Sequence, residues 1–501
     1  MDSMADGYDP RHSDDDEFPS MDDDGRRAIG ADDFLERLRS RSCFLHVVIA
    51  VCALGWATNA LTLMTVAFFD TPHWTIDNST TFVTVSEEYE LTGERSYLRE
   101  FMSSSFMVGN VIGGLVISPM SDALGRRPIL VAGLLGLSMS TFLTTIATAA
   151  EYFITARIMQ GIFYTGLGQT SWVLAYECCP IKMRSITAFL FGMFWVAGYL
   201  AIALVAILAT TWRMMMLIVT GTTVAVLVAV CIIVPESLHF LVTHKADSPA
   251  LDEWAQRVNE PLFIVPERRP EKIGFCNILS YLSSHHTIFR TMVMAGLWCS
   301  DAFVYFGLSF YSTKISDENT YLDYILLGIV EIPAYLLTQC SLNGFSRRAV
   351  MVGTHLMAAV SFIVLLFLPK GSYFALAGWT LGKLGISIAY MGLYVVGSEI
   401  FPTKVRVSCL GICGIFSRLG GVFAPYVTFL DRYSPKLPLA VFILVSLFGS
   451  ALSVFLPETK DKPLSEHQAI SQDETPVGEE VKTIHSSVVD SSNDQENPIL
   501  C

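Results

Sequence analysis

The sequence predicts an all-α membrane protein in which twelve transmembrane helices form two six-helix bundles. Composition is the first indication: the 501 residues are 52% hydrophobic and 16% charged, whereas about 25% of the residues in soluble domains are charged. The apolar residues also come in blocks of about 20 or more, the length that a helix needs to cross a bilayer. Finally, three short polar motifs occur twice in the same order, which indicates that the second half of the chain repeats the first.

The repeated motifs define the spacing between the two halves. They are DALGRR at position 122 and NGFSRR at 343, ECCPIKMR at 177 and EIFPTKVR at 399, and PES at 235 and PET at 457. The two copies are therefore 221, 222 and 222 residues apart. Because the motifs separate apolar blocks, the repeating unit is a membrane-embedded half, and two such halves in parallel are typical of secondary transporters.

Twelve apolar blocks are predicted to span the membrane. In the first half they are 44–69, 99–120, 128–149, 152–176, 185–209 and 213–234, and in the second half 289–312, 321–342, 349–368, 373–398, 405–429 and 437–456. We therefore expect five segments: a disordered acidic tail over 1–43, an N-terminal bundle over 44–234 with an outer loop at 70–98, a cytosolic linker with short helices over 235–288, a C-terminal bundle over 289–457, and a disordered acidic tail over 458–501. The tails are predicted to be disordered because they contain too few apolar residues to form a core.

The distribution of charge predicts the orientation. Lysine and arginine are concentrated in alternate short loops, which should be cytosolic, so that both termini are cytosolic as well. The N-terminus is too acidic and polar for a signal peptide, so the first helix is expected to insert uncleaved. The sequon at Asn78 falls in the outer loop and is a candidate glycosylation site there. The net charge of −14 comes largely from the acidic tails, and no basic stripe suggests nucleic-acid binding.

The sequence offers no pattern typical of an enzyme or a metalloprotein. The eleven cysteines are scattered, without the spacing of a disulfide framework or a metal site. There is also no convergent nucleophile–base motif and no phosphate-binding loop. We therefore expect neither catalysis nor a bound metal or cofactor.

The charged residues of the repeated motifs are candidates for a conformational gate. In the second motif of each half, a proline between a glutamate and an arginine ends one helix. Ion pairs near the inner face can form in one transport state and break in another, and we expect them to latch the outward-open state. The alternative is that the positive loops only orient the protein. The candidate gate residues are Asp122, Arg126, Arg127, Glu177, Arg184, Arg347, Arg348, Glu399 and Arg406.

Charged residues inside the predicted spans point to a binding site, because charges at bilayer depth usually face a cavity or a partner. Most of them lie in the second half, and Arg157 lies in the first. Two cationic side chains among aromatic rings suit an organic anion or a zwitterion with an apolar body, although aromatic rings can also stabilise a quaternary ammonium group. The candidate substrate-binding residues are Asp301, Tyr305, Glu331, Lys383, Tyr390 and Arg418.

Several pairings are open at this stage. Lys383 and Arg418 could each neutralise Glu331 or Asp301 instead of binding substrate. Asp301 could accept the ammonium group of a zwitterion, bind a coupling proton, or pair with Lys383. His355, near the start of its predicted helix, is expected to be structural.

The repeated motifs resemble those of the major facilitator superfamily, and further stretches are similar to the organic cation, anion and carnitine transporters of solute carrier family 22. These stretches are EL at 90–91, YLD at 321–323, EIP at 331–333, GKLGI at 382–386, SRLGGVFAP at 417–425 and LPETK at 456–460. The resemblance covers most of 99–464. It implies a twelve-helix, two-bundle carrier that moves small organic ions by alternating access at the plasma membrane. We also expect the protein to be monomeric and without a cofactor, and an intracellular vesicle membrane is the alternative location. A coupling ion or a counter-substrate is a further possible partner.

The resemblance also bears on the binding site. Tyr305, Lys383 and Arg418 match positions that line the central cavity in that family. Cation carriers tend to have aspartate where this chain has Arg418, whereas anion and carnitine carriers tend to have arginine, so a substrate with a carboxylate is favoured. The chain departs from the family pattern in its short outer loop without cysteine, and in Asn343 and Ser346, which replace an aspartate and a glycine.

Four functions therefore remain in view. The preferred one is a transporter of organic anions or zwitterions, and the nearest alternative is a transporter of organic cations. A sugar-type facilitator is less favoured, because the spans largely lack the glutamine and asparagine side chains expected of a sugar site. The fourth is a non-transporting sensor or scaffold, which the long acidic tails keep open.

Overall fold

The computed structural model describes residues 31–38, 43–70, 83–91, 95, 97–244, 249–258, 285–316, 320–401 and 403–460. These residues are almost entirely helical, with one isolated β-bridge between Val83 and Thr211. They divide into two compact units, one containing the described residues up to Val258 and the other those from His285 onwards.

The first unit contains ten α-helices within its described residues. Six of them are long, and four short ones flank or connect these: α1 Ala31–Leu38, α2 Cys43–Met64, α3 Val85–Glu88, α4 Tyr97–Leu124, α5 Arg126–Ile146, α6 Ala150–Glu177, α7 Arg184–Leu208, α8 Trp212–Ile233, α9 Leu238–His244 and α10 Pro249–Val258. In this unit α4 packs against α6, α5 against α6 and α8, and α2 against α7.

The second unit contains eight α-helices within its described residues. They are α11 His285–Tyr311, α12 Thr320–Ile329, α13 Glu331–Gly344, α14 Arg347–Leu365, α15 Tyr373–Ile400, α16 Thr403–Phe423, α17 Tyr426–Leu430 and α18 Lys436–Ser453. Here α11 packs against α16, and α14 packs against both α15 and α18. The predicted span 321–342 is interrupted at Val330, between α12 and α13.

Among the described residues, eleven helical segments are long and apolar enough to cross a membrane. The predicted span 152–176 corresponds to α6, which at 28 residues is among the longest helices but is not one of the eleven. This helix contains Arg157 and Gln160 on its buried face, and these polar side chains lower its apolar character. It packs between α4 and α5, so the unit has six long helices, consistent with a twelve-helix fold.

Two glycines allow equivalent helix pairs to approach closely. A Cβ atom on Gly198 of α7 would lie 2.0 Å from the carbonyl oxygen of Ala57 on α2, and a Cβ atom on Gly420 of α16 would lie 2.2 Å from that of Cys299 on α11. Neither distance is possible for a real side chain, so both contacts require glycine. Positions 198 and 420 differ by 222, the offset of the repeated motifs, so the duplicated halves share this packing contact.

Helix α1 corrects one prediction about the N-terminal tail. The sequence predicts disorder throughout 1–43, but residues 31–38 form a helix whose Phe34, Leu35 and Leu38 are almost completely buried. The prediction is wrong for this segment because its few apolar residues recur at helical spacing and form one apolar face. Residues 1–30, the C-terminal tail beyond 460 and the sequon at Asn78 lie outside the described residues.

Candidate functional site

The first charged network lies where α6 ends and α5 begins. Two guanidinium nitrogens of Arg126, the first residue of α5, lie 3.1 Å and 3.0 Å from the two carboxylate oxygens of Glu177. Asp122 contacts the same guanidinium at 3.1 Å. From the other side, Glu236 accepts the backbone N–H groups of Arg126 and Arg127, at 2.9 Å and 3.1 Å. Because a helix begins with unpaired N–H groups and a partial positive charge, the Glu236 carboxylate caps α5.

The second unit repeats this network. Arg347 contacts the two carboxylate oxygens of Glu399 at 2.8 Å and 3.0 Å, and Glu458 accepts the backbone N–H groups of Arg347 and Arg348, at 2.9 Å and 3.3 Å. In addition, the Thr459 hydroxyl donates to Glu399 at 2.6 Å. All three repeated motifs thus meet at one point in each unit: the first supplies the arginine, the second its glutamate partner, and the third the capping carboxylate.

The paired side chains are shielded from solvent to a similar degree in the two units. Arg126 and Glu177 are 12% and 23% exposed, and Arg347 and Glu399 are 14% and 22% exposed. The Arg347–Glu399 pair is bidentate, whereas Arg126 makes one hydrogen bond to Glu177. An ion pair at this burial is stronger than an exposed surface ion pair, which typically contributes about 0–1 kcal/mol. These networks therefore hold the helix ends together within each unit.

The two copies differ in the residue that precedes the arginine. Gly125 has φ of 111°, which glycine adopts readily, and a Cβ atom there would lie 2.4 Å from the Glu236 carboxylate. The equivalent Ser346 has an ordinary φ of −68°, and its hydroxyl accepts the N–H of Ala349 to cap α14. The first N–H groups of the helix are thus bonded in both halves. At Ser346 the residue's own hydroxyl supplies an acceptor, whereas at Gly125 the absence of a side chain leaves room for the Glu236 carboxylate.

Glu458 is stabilised in its charged form. Partial burial acts to raise the pKa of this carboxyl group, but the N–H groups of Arg347, Lys460 and Arg348 outweigh it, so the pKa lies below its ordinary value. Hydrogen bonds to the charged form of an acid have this effect. The carboxylate therefore remains ionised near neutral pH and continues to cap α14.

The other predicted gate residues have different partners. Arg184 bonds to Asp32 of α1 at 2.9 Å and lies over the ring of Tyr176, whereas Arg406 donates to the carbonyl oxygen of Phe401 at 3.1 Å. Two further arginines, like Arg406, donate to backbone carbonyl groups. Arg127 donates to the carbonyl of Cys231 at 3.0 Å and Arg348 to that of Leu456 at 2.8 Å.

The interior of the second unit contains a buried ion pair between Lys383 of α15 and Glu331 of α13. Their side chains are both 0% exposed, and the ammonium and carboxylate groups are 3.1 Å apart. The Lys383 ammonium also donates to Ser309 at 2.7 Å and lies 3.4 Å from the centre of the Tyr305 ring. The hydroxyl groups of Tyr305 and Tyr335 donate to Glu331, at 2.7 Å and 3.3 Å. Of the pairings left open by the sequence, Lys383 with Glu331 is therefore the observed one.

Asp301 pairs with His355 and not with Lys383. The carboxylate of Asp301 on α11 lies 2.6 Å from Nε2 of His355 on α14, and both side chains are buried. The other ring nitrogen, Nδ1, lies 2.7 Å from the carbonyl oxygen of Met351. Gly449 of α18 provides the space for the ring, since a Cβ atom there would lie 2.4 Å from it.

Arg418 and Tyr390 belong to an aromatic region on α11, α15 and α16. The hydroxyl of Tyr390 bonds to that of Ser417 at 2.9 Å, and its ring lies 5.4 Å from that of Tyr305. Trp298 stacks edge-on against Tyr394 with the ring centres 4.5 Å apart. Arg418 is half-buried and acts electrostatically on the Tyr394 hydroxyl. Arg418 thus directly follows a serine that bonds to an aromatic side chain, and a guanidinium together with aromatic rings suits a carboxylate on an apolar body.

Arg157 is the buried charge of the first unit. Its guanidinium lies over the rings of Phe69 and Phe106, 5.1 Å and 4.6 Å from their centres, and donates to Gln160 at 2.7 Å. Gln160 in turn donates to Thr144 at 3.1 Å. Within the described residues, Nε and Nη2 of Arg157 have no hydrogen-bond partner.

Sequence reasoning missed several of these contacts. Glu236 and Glu458 are not among the candidate gate residues. Their motif is repeated at the same offset as the others, so the repeat could have identified them. Ser309 and the pairing of His355 with Asp301 had no signal in a single sequence, because the partners lie on separate helices. The part of the chain that the structure describes contains no group of three or more histidine, cysteine, aspartate or glutamate side chains able to hold a metal ion.

Comparison with known proteins identifies the family. The profile of the "Sugar (and other) transporter" family matches residues 44–470. A Caenorhabditis elegans protein described as a transporter is 33% identical over 443 residues, 87% of this chain and 90% of its own length. The Organic cation transporter protein of Drosophila melanogaster is 29% identical over 401 residues, 76% of this chain and 72% of its own. Organic anion transporter 3 of Oryctolagus cuniculus is 28% identical over 400 residues, 76% and 73% respectively.

The fold agrees with this assignment. The solved structure of the xylose transporter XylE from E. coli in a partially occluded inward-open conformation matches with a TM-score of 0.63 and 18% identity, over 84% of this chain and 100% of that one. At this identity the likeness concerns the fold alone. The chain therefore belongs to the sugar (and other) transporter family of the major facilitator superfamily, as a multi-pass membrane transporter of the solute carrier family 22 organic ion type and not an enzyme.

Proposed function

We propose that this transporter carries small organic anions or zwitterions in preference to organic cations, by alternating access. The observation that supports this proposal is the position of Arg418. Its half-buried guanidinium lies on α16, acts electrostatically on Tyr394, and directly follows Ser417, whose hydroxyl bonds to that of Tyr390. A carboxylate can form a bidentate pair with arginine, and aromatic rings can pack against the apolar part of the same molecule.

Tyr390 and Ser417 complete the proposed recognition site. Their hydroxyl groups bond to each other at 2.9 Å, and either can turn to bond a polar group of the substrate. Tyr390 also contacts the ring of Tyr305, so the proposed site adjoins the buried Lys383–Glu331 pair.

Lys383 and Glu331 receive a supporting role in this proposal. Both are fully buried and bonded to each other, which leaves the ammonium group less suited to direct substrate contact. Tyr305 contacts both members of the pair, since its hydroxyl donates to Glu331 and its ring faces Lys383. The pair thereby sets the orientation of Tyr305 toward Tyr390, and we assign Tyr305 to the wall of the site.

The repeated charged networks are proposed to control conformation. Each network joins two helix ends through an arginine and a glutamate and is largely shielded from water. Loss of one partner would leave the other charge without compensation and loosen the helix ends. We retain the proposal that these contacts stabilise the outward-open state of the transport cycle.

The proposed location is the plasma membrane, with both termini in the cytosol. The arginines of the repeated motifs lie at helix ends, in Arg126, Arg127, Arg347 and Arg348, and the positive-inside rule places such loops in the cytosol. Epitope tags at either terminus, probed in intact and in permeabilised cells, would test this orientation. Labelling in intact cells would refute it.

The proposal on substrate class is tested by uptake of three labelled probes: hippurate as an anion, carnitine as a zwitterion and tetraethylammonium as a cation. We expect uptake of hippurate or carnitine to exceed that of tetraethylammonium in cells that express the wild type. Arg418→Asp should reverse this preference, while Arg418→Lys, the matched control that keeps the charge, should preserve it at reduced rate. A wild type that prefers tetraethylammonium, or two variants that behave alike, would refute the proposal.

A further inference from the structure

Asp301 and His355 form a buried pair in the interior of the second unit. Their side chains are 1% and 0% exposed, and Nε2 lies 2.6 Å from Oδ1. The second carboxylate oxygen, Oδ2, has no hydrogen-bond partner within the described residues. Glu331 differs, because each of its two oxygens accepts a hydrogen bond from a tyrosine hydroxyl. A buried carboxylate oxygen that is left unsatisfied is costly and calls for an explanation.

The contacts of His355 define how many protons the pair holds. Nδ1 lies 2.7 Å from the carbonyl oxygen of Met351, and a carbonyl can only accept, so Nδ1 carries a hydrogen. The contact of 2.6 Å between Nε2 and Oδ1 then needs one further proton. That proton is either on His355, facing a carboxylate, or on Asp301, facing a neutral imidazole. In both forms the pair shares one proton and is neutral overall.

We propose that the Asp301–His355 pair is a proton-binding site that links transport to proton movement. One proton from water on one side of the membrane binds between Oδ1 and Nε2, and the same proton leaves to water on the other side. After it leaves, a carboxylate oxygen and an imidazole lone pair face each other at hydrogen-bond distance, with a net charge of −1. This repulsion favours separation of α11 from α14, so protonation state and helix position are coupled.

Two glycines and a separate ion pair lie around the Asp301–His355 pair. Helix α18 faces it with Gly449, and α15 faces the neighbouring Met351 with Gly392. The buried charges that α15 and α13 carry, Lys383 and Glu331, are paired with each other and contact α11 at Tyr305, one helical turn from Asp301.

Two further charged groups of this unit have their own partners. Arg418 of α16 acts on Tyr394, and Asp323 of α12 interacts with Ser316. Asp301 acts on His355 both through its charge and through the hydrogen bond between them. In this proposal the ligand that the pair binds and releases is a proton.

Proton binding itself can be measured without a substrate. The full chain, labelled with nitrogen-15 in histidine and carbon-13 in aspartate, is reconstituted in bilayers and titrated by solid-state NMR, with signals assigned by their loss in His355→Gln and Asp301→Asn. We expect Nδ1 to remain protonated throughout, and Nε2 and the Asp301 carboxyl group to change in one joint transition. Independent transitions of the two groups, or loss of the Nδ1 hydrogen, would overturn the proposal.

Coupling to transport, which rests on the proposed function, is measured in liposomes with hippurate, carnitine and tetraethylammonium as probes. For the wild type we expect a pH gradient imposed at zero membrane potential to change accumulation of the transported probe. Asp301→Asn should lose this response but retain exchange of labelled for unlabelled probe. Asp431→Asn is the control, because Asp431 also bonds to α11, through Tyr311 at 2.9 Å, and should keep both activities.

The outcomes separate the two proposals. Wild-type accumulation that is indifferent to the pH gradient would overturn proton coupling, even if the variants fail to fold. Absence of uptake for all three probes would count against the proposed function instead, and the NMR titration would still decide whether Asp301 and His355 share a proton.

Discussion

Removal of one partner of the Lys383–Glu331 pair should strongly destabilise the protein. In Lys383→Met the Glu331 carboxylate stays at 0% exposure without a counter-charge, and breaking a buried pair in this way costs about 3–5 kcal/mol. The hydroxyl groups of Tyr305 and Tyr335 still donate to Glu331, so we expect a value near the lower end, about 3 kcal/mol. For a unit of this size, about 2–4 °C per kcal/mol gives a fall in Tm of roughly 6–12 °C.

The double variant distinguishes the orphaned charge from a simple loss of packing. Lys383→Met combined with Glu331→Gln removes both charges and keeps an acceptor for the tyrosine hydroxyls, so its Tm should recover toward that of the wild type. The assay is thermal unfolding of the purified protein in detergent, followed by tryptophan fluorescence. A double variant as unstable as Lys383→Met, or a single variant with an unchanged Tm, would refute the electrostatic reasoning.

Three further predictions concern packing, pH and transport. Gly420→Ala should reduce the yield of folded protein on size-exclusion chromatography, because its Cβ would lie 2.2 Å from the Cys299 carbonyl; Gly411→Ala, on the same helix but with no atom within 4 Å of the new Cβ, should not. Since the pKa of Glu458 is lower in the folded protein, its stabilisation is present above the usual glutamate pKa of about 4.3 and is lost as the pH falls through the folded value. The fall in Tm on acidification should thus be shallower in Glu458→Gln, and equal slopes would contradict this. Glu399→Gln should lower transport in uptake assays while surface expression stays near normal, and unchanged turnover and substrate affinity would exclude a gating role.

The general architecture was accessible from the sequence because it rests on periodic and repeated signals. Apolar blocks of membrane-spanning length predict the long helices, and the common offset of the motifs predicts the duplication. Helix α1 escaped prediction because Phe34, Leu35 and Leu38 are a short apolar pattern within an acidic stretch. The interruption at Val330 is absent from the hydrophobic pattern of the span but has a local cause, because Pro333 has no N–H to donate to the carbonyl of Ile329.

The candidate site was predictable in its members but not in its pairings. Charged residues in apolar spans are conspicuous, so Asp301, Glu331 and Lys383 could be named in advance. Which acid meets which base depends on the rotation of α11, α13, α14 and α15 about their axes, and a single sequence leaves that open. Asp301 consequently had Lys383 as a plausible partner, whereas the structure pairs it with His355.

Gly125 precedes Arg126 and Ser346 precedes Arg347, and the two positions tolerate different substitutions. Ser346 has an ordinary backbone conformation, so glycine at that position would cost little more than one capping bond. The reverse exchange is not open to the first half, because any side chain at Gly125 would collide with Glu236 and would have to adopt a φ of 111°. Although the two halves repeat one set of motifs, glycine is therefore tolerated at position 346, whereas serine is not tolerated at position 125.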